Sequence, residues 1–299
     1  MQLWEIALAF NKCTGDEIKS FKNYFHDLYL SNSELDNGVV VKGSYNFILS
    51  DVEKLITKII SNLISSFLLN KEGMISWGYV TAYYANYFSF QALNRLHLNF
   101  ISYSESLYSC TFINYINNEL LVKKSDTSKT HIREYQLYAE KRNKMSLESS
   151  PDRLWSIANS RFTFGDEVNL RNEINYSISQ DNFSEFLMTK TEFDQLKSHY
   201  KNSPFIKPLD LDKEFRYSYE SMKYGLSRLR VIMYILNKIA NESNLYSSYY
   251  IRRNNHRLRS IEENFKNELP MWMVQYFNEI LIFLEMDKEE KILPSEVKN

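Results

Sequence analysis

Hydrophobic positions recur along most of this chain at three- and four-residue spacing, the period of a helix that buries one face. Ile18, Phe21, Phe25 and Leu28 predict a first amphipathic helix running to about Leu30, with Thr14-Gly15-Asp16-Glu17 as its capping box. A broad apolar stripe from Val52 through Ile56, Ile60, Ile64 and Phe67 predicts a second helix, opened by the box Ser50-Asp51-Val52-Glu53 and ended at Gly73. Ile75 to about His97 is a third, in which Ala82, Ala85 and Ala92 sit among Tyr83, Tyr84, Tyr87, Phe88 and Phe90. Small residues admit close neighbours and rings fill the gaps, so this helix is expected at the centre. Helical spacing returns from about Ile132 to Lys144, through Arg171 and Tyr176, and over Thr191–Tyr200, Lys213–Asn241, Arg257–Lys266 and Met271–Met286.

Two stretches break that period. Asp36-Asn37-Gly38 is turn chemistry, and Val39-Val40-Val41 after it predicts a short strand or extended connector. The apolar runs Tyr108–Ile113 and Glu119–Val122 flank Asn117-Asn118 as a β-hairpin would. The expected architecture is mostly α, a helical bundle with residues 103–154 as an inserted hairpin-and-helix segment. Ser149-Ser150-Pro151-Asp152 is a loop within that segment, and Pro204 and Pro208 bound a link. Residues 1–203 then form the bundle and 209–299 a helical extension packed on the same core, with a charged tail from Asp287.

Composition narrows the function classes. With 36 Lys and Arg against 37 Asp and Glu in 299 residues, no whole-molecule field draws the chain to nucleic acid or an anionic membrane, so such binding requires a local patch. Seven Gly and five Pro leave few turn punctuators and favour long elements. Cys13 and Cys110 lack both zinc-site spacing and disulfide density, which fits a reducing cytoplasm. The start, Met1-Gln2-Leu3-Trp4-Glu5, has no basic region ahead of its apolar residues and reads as no signal peptide. Met271–Met286 is too short and polar to span a membrane. The five histidines, His26, His97, His131, His199 and His256, make no i, i+4 pair, and no glycine-rich phosphate loop occurs, so neither metal nor cofactor is expected. Trp4, Trp77, Trp155 and Trp272 are expected as core or interface residues.

Two polar constellations remain. The first is Arg171-Asn172 followed by Tyr176, roughly a helical turn further along, after the helix-start signal Phe164-Gly165-Asp166-Glu167. The second is Arg252, Arg253, His256 and Arg259, within Tyr249–Arg259, where Arg252, His256 and Arg259 share a helical face beside aromatic rings. Such a stripe suits contact with phosphates and bases, or an acidic partner, or is a solvated face paired with Glu262 and Glu263.

The first constellation resembles the R-N-x-x-x-H signature of HEPN-domain proteins, helical-bundle modules of prokaryotic toxins, antiviral defence systems and RNA-processing enzymes. The run Tyr83-Tyr84-Ala85 through Ala92-Leu93 is similar to a stretch those proteins carry on the helix before the motif. The resemblance implies a homodimer that joins two motifs across its interface. It also implies a metal-independent endoribonuclease site in which the Arg steadies the scissile phosphate and the His takes the 2′-hydroxyl proton. Here Tyr176 stands in the His place, and a phenol of ordinary pKa about 10 is no base at neutral pH. The expectation is a defence or toxin-antitoxin component that binds RNA, with Arg171, Asn172 and Tyr176 forming a weakened or inactive site. The alternative is a non-enzymatic helical subunit that holds a partner ATPase or nuclease encoded beside it, in which Arg171 pairs structurally and Tyr176 packs.

Overall fold

The computed structural model describes residues 3–17, 19–31, 37–114, 117–125, 130–142, 164–176, 189–202 and 213–285. Among them the chain is mostly helical with one small sheet, in the order α1 (Leu3–Phe10), α2 (Phe21–Ser31), β1 (Val39–Lys42), α3 (Tyr45–Lys71), α4 (Ile75–Leu96), β2 (Asn99–Ser104), β3 (Ser106–Asn114), β4 (Glu119–Lys124), α5 (Thr130–Arg142), α6 (Phe164–Tyr176), α7 (Lys190–Asn202), α8 (Lys213–Glu242), α9 (Asn244–Phe265) and α10 (Met271–Leu281). The loop 149–152, the link at Pro204 and Pro208, Trp155 and the tail from Asp287 lie outside the described residues.

Helix α4 is the axis of the fold, as its mixture of small residues and rings predicts. Tyr79, Ala82, Tyr83, Ala85, Phe90, Ala92 and Leu93 are all buried, and α3, α5, α6 and α8 pack around it. Close approach has a visible device at Gly225 of α8. A Cβ there would stand 2.9 Å from Leu63 of α3 and 3.7 Å from Ala85 of α4, so three helices meet closely enough that a side chain would push the Leu63 methyl aside.

Both expected capping boxes are corrected. Glu17 accepts from the Lys19 amide at 2.8 Å instead of reaching back to Thr14. Helix α2 starts only at Phe21, whose amide donates to Asp51 at 3.2 Å, while Ser20 Oγ accepts from the Asn23 amide. Helix α3 begins ahead of Ser50, at Tyr45, so Asp51 and Glu53 lie inside it and are buried. Their carboxylates are committed to buried cations: Asp51 to Arg95 at 3.2 Å and Glu53 to Arg257 at 2.6 Å. A buried guanidinium needs a counter-charge more than a helix end needs a cap.

The valine run forms more than a connector. Strand β1 is the edge of an antiparallel sheet ordered β1-β4-β3-β2, with Val41 opposite Leu120 and Val39 opposite Val122. The β3–β4 hairpin turns at the expected Asn117-Asn118, where Asn118 has φ 54°. Strand β2 is an addition, turned out of α4 by Leu98 at φ 52° and joined to β3 through Glu105 at φ 56°. On the inner face, Phe100, Tyr108, Cys110 and Leu120 are buried against α2, where Phe21 meets Phe100 edge-on at 5.0 Å and Phe25 meets Tyr108 at 4.9 Å. Cys13 and Cys110 are both free and buried. No helix among the described residues is long and apolar enough to cross a membrane.

Candidate functional site

Helix α6 lies against α4, and this contact builds the site around Arg171. Arg171 is buried, with its guanidinium carbon 5.1 Å from the centre of the Tyr83 ring and 5.9 Å from that of Tyr176. Its Nη1 donates to the Tyr176 hydroxyl at 3.5 Å. Burial disfavours the Arg171 charge, but the hydrogen bond to Tyr83 and the phenols of Tyr83, Tyr84 and Tyr176 outweigh it and raise its pKa. The cation is therefore fixed, and its Nε finds no partner among the described residues.

Arg171 and Tyr176 are thus brought together, while Asn172 beside them is half-buried. Tyr176 is 73% exposed, at the end of its helix, so it forms the rim of the site.

The imidazole that the motif lacks is supplied from elsewhere. His131, in the first turn of α5, has Nδ1 2.7 Å from the Tyr83 hydroxyl. Its ring stacks on Tyr87 at 3.9 Å and 13°, and Gln91 Nε2 donates to the Tyr87 hydroxyl at 2.9 Å. Either the Tyr83 hydroxyl donates to His131 Nδ1 or the ring donates to it, and in both cases the neutral imidazole carries one N–H. Burial, with the Arg171 charge adding to it, pushes the His131 pKa down to about 4. At neutral pH the site therefore holds one fixed positive charge, a neutral imidazole carrying an N–H, and phenolic hydroxyls. It is built to receive an anion with hydrogen-bond acceptors.

Sequence spacing had no means of finding His131. It lies 40 residues ahead of Arg171 and has no helical pairing with another histidine. The nearest signal was the aromatic run itself, whose Tyr83 and Tyr87 hold the imidazole.

The second constellation divides over α9. Arg252, His256 and Arg259 share one face and line a shallow depression with Ser248, Ile251 and Asn255. Arg252 is engaged there by Asp16 at 3.1 Å, not by Glu262 or Glu263. Arg253 faces away from this stripe into a groove against α3, and Arg257 is buried with Glu53. Trp4 and Trp77 are partly exposed, at 37% and 46%. Among the described residues no group of three or more His, Cys, Asp and Glu could hold a metal ion. In comparisons with known proteins, the chain matches no family model, no curated protein and no solved structure.

Proposed function

We propose that this protein is a HEPN-like, RNA-directed component of a prokaryotic antiviral defence or toxin-antitoxin system, acting as a homodimer, whose site binds the RNA backbone and cleaves it weakly or not at all. The observation that carries this reading is the gathering of Arg171 over the Tyr83 ring, of Tyr83 on His131, and of Tyr176 on the Arg171 guanidinium. The guanidinium is a donor for phosphodiester oxygens, and the exposed Tyr176 ring is a surface on which a base stacks. Cleavage by 2′-hydroxyl attack needs an imidazole nitrogen free to take that proton. His131 has its Nδ1 engaged with the Tyr83 hydroxyl and a low affinity for protons, which makes it a poor base.

The test is fluorescence anisotropy with a single-stranded RNA in EDTA. Wild type is expected to bind with a strong salt dependence. Arg171→Ala is expected to weaken binding tenfold or more, the scale of charge-assisted hydrogen bonds lost. Arg171→Lys, which keeps a charge, is expected to retain part of the affinity. Equal affinity of wild type and a well-folded Arg171→Ala would sink the reading.

A second reading, a non-enzymatic subunit that holds a partner ATPase or nuclease, is favoured by one surface. The outer face of the sheet carries Val40 opposite Leu121, with Ile113 on the same face, exposed at 47%, 37% and 45%. Copurification of one stable partner, lost on Leu121→Lys, would favour it.

A further inference from the structure

Helices α3 and α9 are held together at two separated points with a gap between. At one end Arg257 Nη2 donates to Glu53 at 2.6 Å, and at the other Lys71, the last residue of α3, reaches Glu268 just beyond α9 at 2.9 Å. Between these clamps lies a pocket of about 330 Å³. Its α3 wall presents hydroxyls at four-residue spacing, Thr57, Ser61 and Ser65, and its α9 wall presents Arg253, His256 and Ser260. Ile60, Ile64, Ile261 and Phe265 make an apolar floor.

The lining contains cation-forming side chains and hydroxyls but no carboxylate, which sets the sign of any ligand. Arg257 spends its charge on Glu53, whereas Arg253 has no ion-pair partner among the described residues, and its buried Nε is without a hydrogen bond. An arginine beside a wall of hydroxyls suits the oxygens of a phosphate. The apolar floor with the Phe265 ring suits a flat, weakly polar body attached to that phosphate. The volume lies at the small end of ligand sites, fitting one nucleotide and not two.

We propose that the α3–α9 pocket binds a nucleoside monophosphate, with the phosphate on Arg253, His256 and the hydroxyls of Ser61 and Ser65, and the base over Ile64 and Phe265. This site is separate from Arg171 and does not depend on the RNA reading.

Isothermal titration calorimetry on the full chain tests it, with AMP, UMP, adenosine and inorganic phosphate as probes. At least one monophosphate is expected to bind, with adenosine and phosphate each at least tenfold weaker. Arg253→Gln and Phe265→Ala are each expected to weaken the nucleotide about tenfold, while Arg259→Gln on the neighbouring face leaves it unchanged. No heat with either monophosphate overturns the proposal. So does an equal loss in Arg259→Gln, which indicates diffuse charge, and so does RNA binding through Arg253 without mononucleotide binding.

Discussion

The Tyr83 hydroxyl lies 2.7 Å from His131 Nδ1, joining the central helix to the start of α5 at a place where burial and the Arg171 charge disfavour an imidazolium. The His131 value of about 4 lies below its ordinary 6.5, so as pH falls the unfolded chain takes up the proton first. Its contribution to stability is complete above pH 6.5 and is lost as pH drops toward 4. Discounted for its partial solvent contact, that loss is about 1–2 kcal/mol. Glu134, whose carboxyl is pushed up by burial, works in the opposite direction, so wild type alone is not diagnostic. Urea unfolding of wild type and His131→Asn between pH 4 and 8 is expected to show the variant less sensitive to acid by that amount. Parallel pH curves would refute the assignment.

Glu53 and Arg257 form the second decisive pair. Both are nearly inaccessible, and Tyr246 donates its hydroxyl to the same carboxylate. Removing one member leaves the other charge buried without compensation. Glu53→Ala is expected to cost about 3–5 kcal/mol, lowering the melting temperature by roughly 10 °C. Glu53→Gln, which keeps an acceptor but no charge, should fall between. A calorimetric scan with Glu53→Ala melting at the wild-type temperature would show that the pair contributes nothing.

How far the sequence could be read follows from where each interaction lies along the chain. Helix α4 was legible because its burial is written as a local alternation of small and large residues. The hairpin of β3 and β4 was legible from two apolar runs around Asn117-Asn118. Glu53 was read as a cap because Ser50-Asp51-Val52-Glu53 has the local form of one; its real partner, Arg257, is 204 residues away and leaves no mark at short range. Strand β2 escaped because Leu98 ends α4 without a glycine, in a left-handed conformation that propensity does not anticipate. At the candidate site Arg171 and Tyr176 were visible together within one helix, but His131 reaches them only through the packing of α5 on α4.

Gly15 carries a constraint of the same long-range kind. Its φ is 74°, and a Cβ would stand 2.6 Å from the rings of both Tyr246 and Tyr249 on α9. The left-handed backbone costs a residue with a Cβ roughly 1–2 kcal/mol, and displacing two packed rings adds a comparable amount. Gly15→Ala is expected to destabilise the fold by about 2–4 kcal/mol in urea titration. A smaller effect than that of an exposed-helix substitution such as Asn264→Ala would mean the rings yield freely.

Tyr176 decides between a site that lacks only its base and one that never had catalytic geometry. Its ring is exposed, so exchange for His creates no cavity and disturbs no core packing. An imidazole there is less buried than that of His131, which favours a pKa near 6.5, suited to proton transfer at neutral pH. The new imidazole would take the 2′-hydroxyl proton as that oxygen bonds to phosphorus and the 5′-oxygen departs, leaving a 2′,3′-cyclic phosphate. Tyr176→His is expected to gain EDTA-resistant cleavage of single-stranded RNA over wild type by ~10²-fold, the usual return of a positioned base. That gain is expected to vanish in Tyr176→His with Arg171→Ala. Binding unchanged and no cyclic phosphate formed would leave the protein an RNA binder whose site never had ribonuclease geometry. Cleavage that survives loss of Arg171 would place the chemistry outside this site.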